Sequence, residues 1–360
     1  MNRNAGAIEF KQDYHRYIWH KVTFIIIVLA AIILISGIAL TLGGRDIGLI
    51  ECYQIVVNHL TGEIPEPGTE SFFDDYVIWN VRLPRILVGI IAGASLALGG
   101  AAMQSAVKNP LADPYTTGIS SGAVFSVSVA IVMGFSIGNS VGMYGLVLNS
   151  FVFGLVPTAV VIIISKVTHS SPATLILAGV AMTYLFNAAS TILMVGTTAE
   201  NLQTAYLWQI GTLENVTWSN VPLMLMILII GGILLTATSS KLNLLTTDDA
   251  SAKSLGLDPE SFRMVILIIL SMMTASVVGF LGIIGFVGLV SPHIVRLIIG
   301  ADNKFLIPAS ALFGAMFMLL ADLISRLIIY PGSIAVGVIL SFMGAPIFLF
   351  LIVKSSREMW

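Results

Sequence analysis

Of the 360 residues, 57% are hydrophobic and only 10% are charged, against roughly 25% charged in an ordinary soluble domain, so a soluble fold could not cover itself. A formal net charge of −2 excludes the strongly basic balance of a nucleic-acid binder, and the single cysteine, Cys52, excludes an intrachain disulfide framework or a Cys-rich metal site. What remains is an all-α integral membrane protein. Its 33 glycines fit that class, because glycine lets membrane helices approach closely.

About 20 apolar residues cross a bilayer. Residues 1–20 precede the first such run and read as a cytosolic tail, since a cleavable signal would have a shorter apolar core and an early small-residue cleavage site. Ten spans follow, near 20–42, 82–106, 115–135, 143–165, 173–195, 218–239, 260–281, 284–299, 305–329 and 335–353. They make one ten-helix membrane domain over 21–354, with a second short tail at 355–360. The longest connection is 43–81, in which Leu49 to Leu60 could form a short surface helix.

Basic residues collect on the cytosolic side of membrane proteins. With both termini in the cytosol, thirteen of the seventeen Lys and Arg residues lie inside, leaving Arg45, Arg82, Arg85 and Arg326 outside beside an acidic loop. The opposite orientation inverts the bias.

Catalytic signatures are missing. No Gly-x-x-x-x-Gly-Lys-Ser/Thr phosphate cradle, His-Glu-x-x-His or nucleophile elbow occurs, and the five histidines are scattered. Ion-coupled carriers place ionisable residues near mid-bilayer, and here the spans hold little besides Asp322 near an outer end. The chain is therefore expected to be no enzyme, to bind no cofactor or metal, and to draw its energy from another subunit.

Three segments depart from plain spanning helices: Arg82-Leu83-Pro84-Arg85, Asn109 to Pro114, and the cytosolic connection 243–263. The last reads as a short helix closed by Gly256, a residue that takes left-handed C-cap geometry, with Pro259 opening the next span. Asp322 stands four residues before Arg326, a spacing that suits an ion pair. The pair Gly89 and Gly93 has the spacing of a helix-packing motif.

The order of blocks is informative as a whole: RLPRILVGIIAGASLALGGAAMQ, NPLADPYTTGISSGA, LILAGVA, SAKSLGL, GFVGLVSPHIVRLIIGADNKFLIPASALFGA, LADLISR and VGVILSFMGAPIFLFLIVK, together covering about residues 77 to 354. In these the chain resembles the FecCD-type permeases of iron-siderophore, haem and cobalamin ABC importers. The resemblance implies type II importer architecture in the prokaryotic cytoplasmic membrane. It implies a second permease copy or paralogue, with helices two to five and seven to ten as inverted repeats. Two cytosolic ATPase subunits would hold ATP and magnesium, and an extracytoplasmic binding protein would deliver the chelate.

The same resemblance implies roles by position. Arg82, Arg85 and Arg326 would dock the binding protein; otherwise they anchor helix ends or pair with Asp322. Asp249, Ala250, Ala252, Lys253, Leu255 and Gly256 would form the coupling helix, with Ala250 and Ala252 small enough to enter an ATPase cleft; otherwise they are an ordinary connector. Asn109, Leu111, Pro172 and Ala173 would gate the inner mouth, or serve as caps and turns. Independently of the resemblance, Asn187 is the polar residue deepest in a spanning segment and would line the pathway or bond a neighbouring helix. Two departures from the family pattern stand out: Thr247-Asp248 where Leu-Gly is common, and Ser333-Ile-Ala335 where Glu-Ile/Leu-Pro is common. The rival reading is a secondary transporter or channel acting alone.

Overall fold

The computed structural model describes residues 3–45, 47–137, 143–168, 171–329 and 332–358; within these, side chains are described from residue 17 onward, except at 143, 144, 168 and 352, and up to 353. The described residues are helical apart from loops and one isolated backbone bridge, Ile210 to Ile283.

Helix α1 (Arg3–Thr41) begins 17 residues before the expected span, so residues assigned to a tail continue the helix. The surface helix expected in the long connection is α2 (Leu49–Thr61), closed by Gly62 in left-handed geometry. After α3 (Glu70–Tyr76), a π-helical turn at Val77–Arg82 leads without a break into α4 (Leu83–Ala106). A 3-10 turn at Pro114–Thr117 precedes α5 (Ile119–Met133), and α6 (Met143–Thr168) and α7 (Pro172–Met194) follow. The chain then forms α8 (Ala199–Gln209), α9 (Val221–Ala237), α10 (Ser239–Leu245) and α11 (Asp249–Ser254). It closes with α12 (Pro259–Leu281), α13 (Val287–Ile299), α14 (Asn303–Ile328) and α15 (Val336–Glu358).

Seven of the described helical segments are long and apolar enough to cross a membrane, and three shorter apolar helices, within α5, α13 and α15, fall on the remaining expected spans. Helix α4 is the hub. In its most apolar window 89% of residues are buried, against 22% in α7 and in α9, which therefore sit at the periphery. Close approach to the hub depends on missing side chains: a Cβ on Gly93 would strike the Gly314 carbonyl of α14, and one on Gly100 the Gly288 carbonyl of α13. Gly89, the other half of the sequence pair, meets only the side chains of Leu213 and Leu319 at 3.4 and 3.5 Å. The packing motif thus works through Gly93 and Gly100.

With 13 residues, α13 is about 20 Å long, short of the roughly 30 Å hydrocarbon core. The chain around it is non-helical, and buried backbone must then find partners elsewhere. It finds them where three segments cross: the Thr212 amide donates to the Leu281 carbonyl (2.9 Å), the Ile283 amide to Gln209 (3.3 Å) and the Gly337 amide to Gly211 (2.9 Å). The Tyr115 hydroxyl donates to the Ile284 carbonyl (3.1 Å). Gly211 is required here, since a Cβ would collide with the Ile283 carbonyl.

Candidate functional site

The candidate site residues gather at opposite ends of the bundle. At the end holding the C-terminus of α1, Asp322 is 1% exposed by side chain and joins two arginines. Arg85 donates to its Oδ1 at 2.8 Å, and Arg326, one helical turn along α14, donates to Oδ2. The expected (i, i+4) pair is therefore present, and Arg85 completes it.

Arg82 is held differently. It is 3% exposed and points at the end of α1, donating to the carbonyls of Leu40, Thr41 (2.9 Å) and Arg45 (2.6 Å). Arg326 donates to the Ala39 carbonyl at 3.1 Å. The last carbonyls of a helix lack intrahelical donors, and a cation there also complements the helix dipole. Arg82 thus serves as a cap on α1. A cavity of about 390 Å³ opens beside these groups, lined by Arg45, Arg82, Arg85, Arg326, Glu214 and Ser333. Arg45 is more exposed than the three arginines singled out from sequence and pairs with Asp74 at 2.7 Å. The Ser333 hydroxyl donates to Glu214, so a carboxylate reaches position 333 from a neighbouring loop although the local sequence lacks one.

At the other end, α11 has the anatomy expected of a short capped helix. Asp248 accepts from the Ser251 amide (3.1 Å), which gives the Thr247-Asp248 departure a structural role as N-cap. Gly256 has φ +82°; its amide donates to Lys253 and that of Leu257 to Ala252, the Schellman arrangement. The faces differ. Ala250, Lys253, Leu255 (66% exposed) and Gly256 look outward, whereas Ala252 is fully buried in the core. Ala252 therefore seats α11 on its own bundle.

What fixes α11 in place is Asp249. Its Oδ1 accepts from Arg263 (2.6 Å) and Lys108 (2.8 Å), and its Oδ2 accepts from Arg263 (2.9 Å). Arg263 is 2% exposed, and its Nε donates to the Ala106 carbonyl at the end of α4 (2.9 Å). The Arg263 guanidinium, aided by Lys108, holds the Asp249 carboxyl well below the usual carboxylate range. A second set of bonds backs the first: Asn243 of α10 holds Asp302 (2.8 Å) and Asn303 (2.9 Å), and Ser105 of α4 donates to Asn303 (2.8 Å).

Lys108 adopts a positive φ of 53°, uncommon for a side-chain-bearing residue, and leads directly into Asn109 to Leu111. Asn109 accepts from the Leu111 amide (2.9 Å), an Asx turn that leaves Leu111 47% exposed. Pro172 and Ala173 open α7, capped by Ser171 accepting from Thr174 (3.4 Å). Among the described residues no hydrogen bond joins them to Asn109 or Leu111. Asn187 lies on the exposed side of α7 with Tyr184 and Ala188. Lys108, Arg263 and Arg45 were legible in sequence only as members of a charge count.

A family model, the FecCD transport family, matches residues 25–354. The ABC transporter permease protein MJ0087 of Methanocaldococcus jannaschii is 39% identical over 98% of this chain and all of its own length. The hemin transport permease HmuU of Yersinia pestis is 34% identical over 78% of this chain and 84% of its own. The molybdate import permease MolB of Haemophilus influenzae is 32% identical over 91% and 94%. A solved metal-chelate type ABC transporter in an inward-facing conformation matches with a TM-score of 0.80 at 29% identity, covering 92% of this chain and 99% of that one.

Proposed function

The chain belongs to the FecCD transport family, and we propose that it forms the path by which an ATP-driven importer carries a metal chelate through the cytoplasmic membrane of a prokaryote. It is a permease, a transporter subunit and not itself an enzyme; ATP and magnesium are held by the ATPase partners. The observation that carries this reading is the Asp249 bridge. It ties an exposed short helix, through one buried arginine, to the end of the central helix α4 and to the loop bearing Asn109 and Leu111. A helix so held transmits a push from a partner to the inner mouth instead of absorbing it.

On this reading α11 presents Ala250, Lys253, Leu255 and Gly256 to a cytosolic ATPase, two of which serve two permeases. The cavity at the opposite end receives acidic side chains of an extracytoplasmic binding protein. Arg85 and Arg326 supply charge there and Arg82 holds the rim, an arrangement that governs encounter and register more than affinity. The exposed side of α7 carries Asn187 and three alanines, Ala173, Ala181 and Ala188, among large residues such as Leu177, Tyr184 and Leu185. That face suits a second permease, identical or paralogous, across a shared pathway. Gating falls to Asn109, Leu111, Pro172 and Ala173, the spans number ten, and both termini lie in the cytosol.

The cargo is a ferric siderophore, haem or a corrinoid. Uptake into vesicles holding the permease with its ATPase and binding protein, offered each chelate and molybdate separately, tests this. Uptake of molybdate alone would overturn the chelate assignment while leaving the importer intact. Ion-driven uptake by the permease alone would replace the importer with a secondary transporter.

A further inference from the structure

We propose that α2 lies in the plane of the membrane, with one flank buried among the lipids of the leaflet at the end of the bundle where α1 finishes. The placement requires α1 to cross the bilayer and does not depend on the cargo or the energy source. The helix has three sides. Cys52 is fully buried, and its thiol donates to the carbonyls of Leu40 (3.5 Å) and Ile47 (3.7 Å), so that side faces the bundle. About 3.6 residues per turn then put Leu49, Ile50, Tyr53, Val57 and Leu60 on one flank, and all five are exposed. Glu51, Gln54 and Asn58 fall on the opposite flank, where they line a cavity of about 200 Å³ with Asp74 and Asp75.

Three observations identify lipid as what covers the apolar flank. The first is its direction. Leu49 and Tyr53 reach α1 at Gly37, where a Cβ would stand 3.6 Å from the Leu49 side chain and 3.1 Å from the Tyr53 hydroxyl. Gly37 is three residues deeper in α1 than Leu40, which Cys52 meets, a descent of about 4.5 Å. The apolar flank therefore points down the span, and the polar flank points away from it. The second is continuity. The stretch Tyr17–Thr41 of α1 is long and apolar enough to cross a membrane, and its Ile33, Leu34 and Ile38 are exposed on either side of Gly37. An apolar flank at the depth of a hydrocarbon-facing span meets the same acyl chains. The third is the aromatic level, since Trp and Tyr gather at membrane–water interfaces. His59 of α2 stacks on Trp79 at 4.0 Å, Trp79 meets the Trp218 ring, and Tyr53 lies on the flank itself. With no Lys or Arg in α2, burial of apolar area holds it there, without attraction to anionic headgroups. His59 also donates to Asp75 (2.9 Å), and Trp79 belongs to the turn that opens α4. Through His59, the lipid surface sets the height of the arginine-lined cavity.

The test uses the full chain in phosphatidylcholine vesicles, without partner proteins, carrying one nitroxide at a time through Val57→Cys, Leu60→Cys, Gln54→Cys or Asn58→Cys. All four positions are exposed, so the core is untouched, and wild-type protein, whose Cys52 is fully buried, gives the background. Spin-label collisions with oxygen, which concentrates in hydrocarbon, are compared with collisions with a water-soluble nickel chelate. The proposal expects oxygen to dominate at 57 and 60, at a depth of about 5–10 Å, and nickel to dominate at 54 and 58. Nickel dominating at all four positions would overturn it, because α2 would then stand in water. Low collision rates with both reagents at 57 and 60 would overturn it as well, because protein would then cover the flank; spin–spin broadening would identify that protein as a second copy of the chain.

Discussion

Asp249 and Arg263, 14 residues apart on either side of a tight turn, close a two-bond bridge in which both carboxylate oxygens and both terminal guanidinium nitrogens take part. The arginine is buried and the aspartate reaches the surface. The bridge therefore links the outside of the bundle to its interior.

Replacing Asp249 by Asn should uncouple the two. A bond to a charged group contributes roughly 1.5–3 kcal/mol, so ATP-driven uptake should fall about ten- to hundredfold. The ATPase should still assemble, because the outward residues of α11 are untouched. Vesicle uptake together with co-purification of the ATPase checks this. Because Asp249 is held below the ordinary carboxylate range, its contribution is complete above a pH of about 4 and is lost only as the pH falls through its lowered value. The loss caused by Asp249→Asn should thus be the same at pH 5.5 and at pH 8.

The two faces of α11 should respond differently. Leu255→Asp changes an exposed residue; it should weaken ATPase assembly and leave the thermal midpoint of the permease unmoved. Ala252→Leu forces extra volume into a full core, and overpacking costs roughly 1–3 kcal/mol. Its signature should be a lowered thermal midpoint of the permease alone.

A similar division is expected at the other end. Arg85→Glu places a carboxylate beside Asp322 and reverses charge at the cavity, so binding-protein affinity should fall, most steeply at low salt. Arg82→Ala removes the donors that close α1. Its first effect should be faster hydrogen exchange at Ala39 to Thr41, measured with no binding protein present.

Gly93→Val should disrupt the contact between α4 and α14, because the new side chain meets backbone, which cannot rotate away. Gly89→Ala meets only the ends of leucine side chains and should be tolerated. Detergent-solubilised yield and midpoint of the two variants measure the difference.

Seven long spans were legible because hydrocarbon imposes length and apolarity on each segment independently, and the ends of α11 because caps are local: Gly256 and Pro259 act on their own neighbours. The bridge was not. Lys108 and Asp249 are 141 residues apart, and nothing in either neighbourhood names the other. The face of Ala252 was not legible because smallness fits an inward seat as well as an outward one. Arg82 and Arg85 look equivalent in sequence, yet one bonds the end of α1 and the other Asp322. The crossing of Gly211, Ile283 and Gly337 is a backbone arrangement with no side-chain pattern to announce it.

The central claim is that this chain moves its cargo only when a partner acts on α11 through Asp249. Purified permease, with and without its ATPase and binding protein, should be sealed into vesicles and chelate uptake followed on adding ATP. Uptake should require all three components, ignore imposed ion gradients, and drop at least about tenfold in Asp249→Asn with the ATPase still bound. Uptake by the permease alone down an ion gradient, or undiminished ATP-driven uptake in Asp249→Asn, would contradict the account.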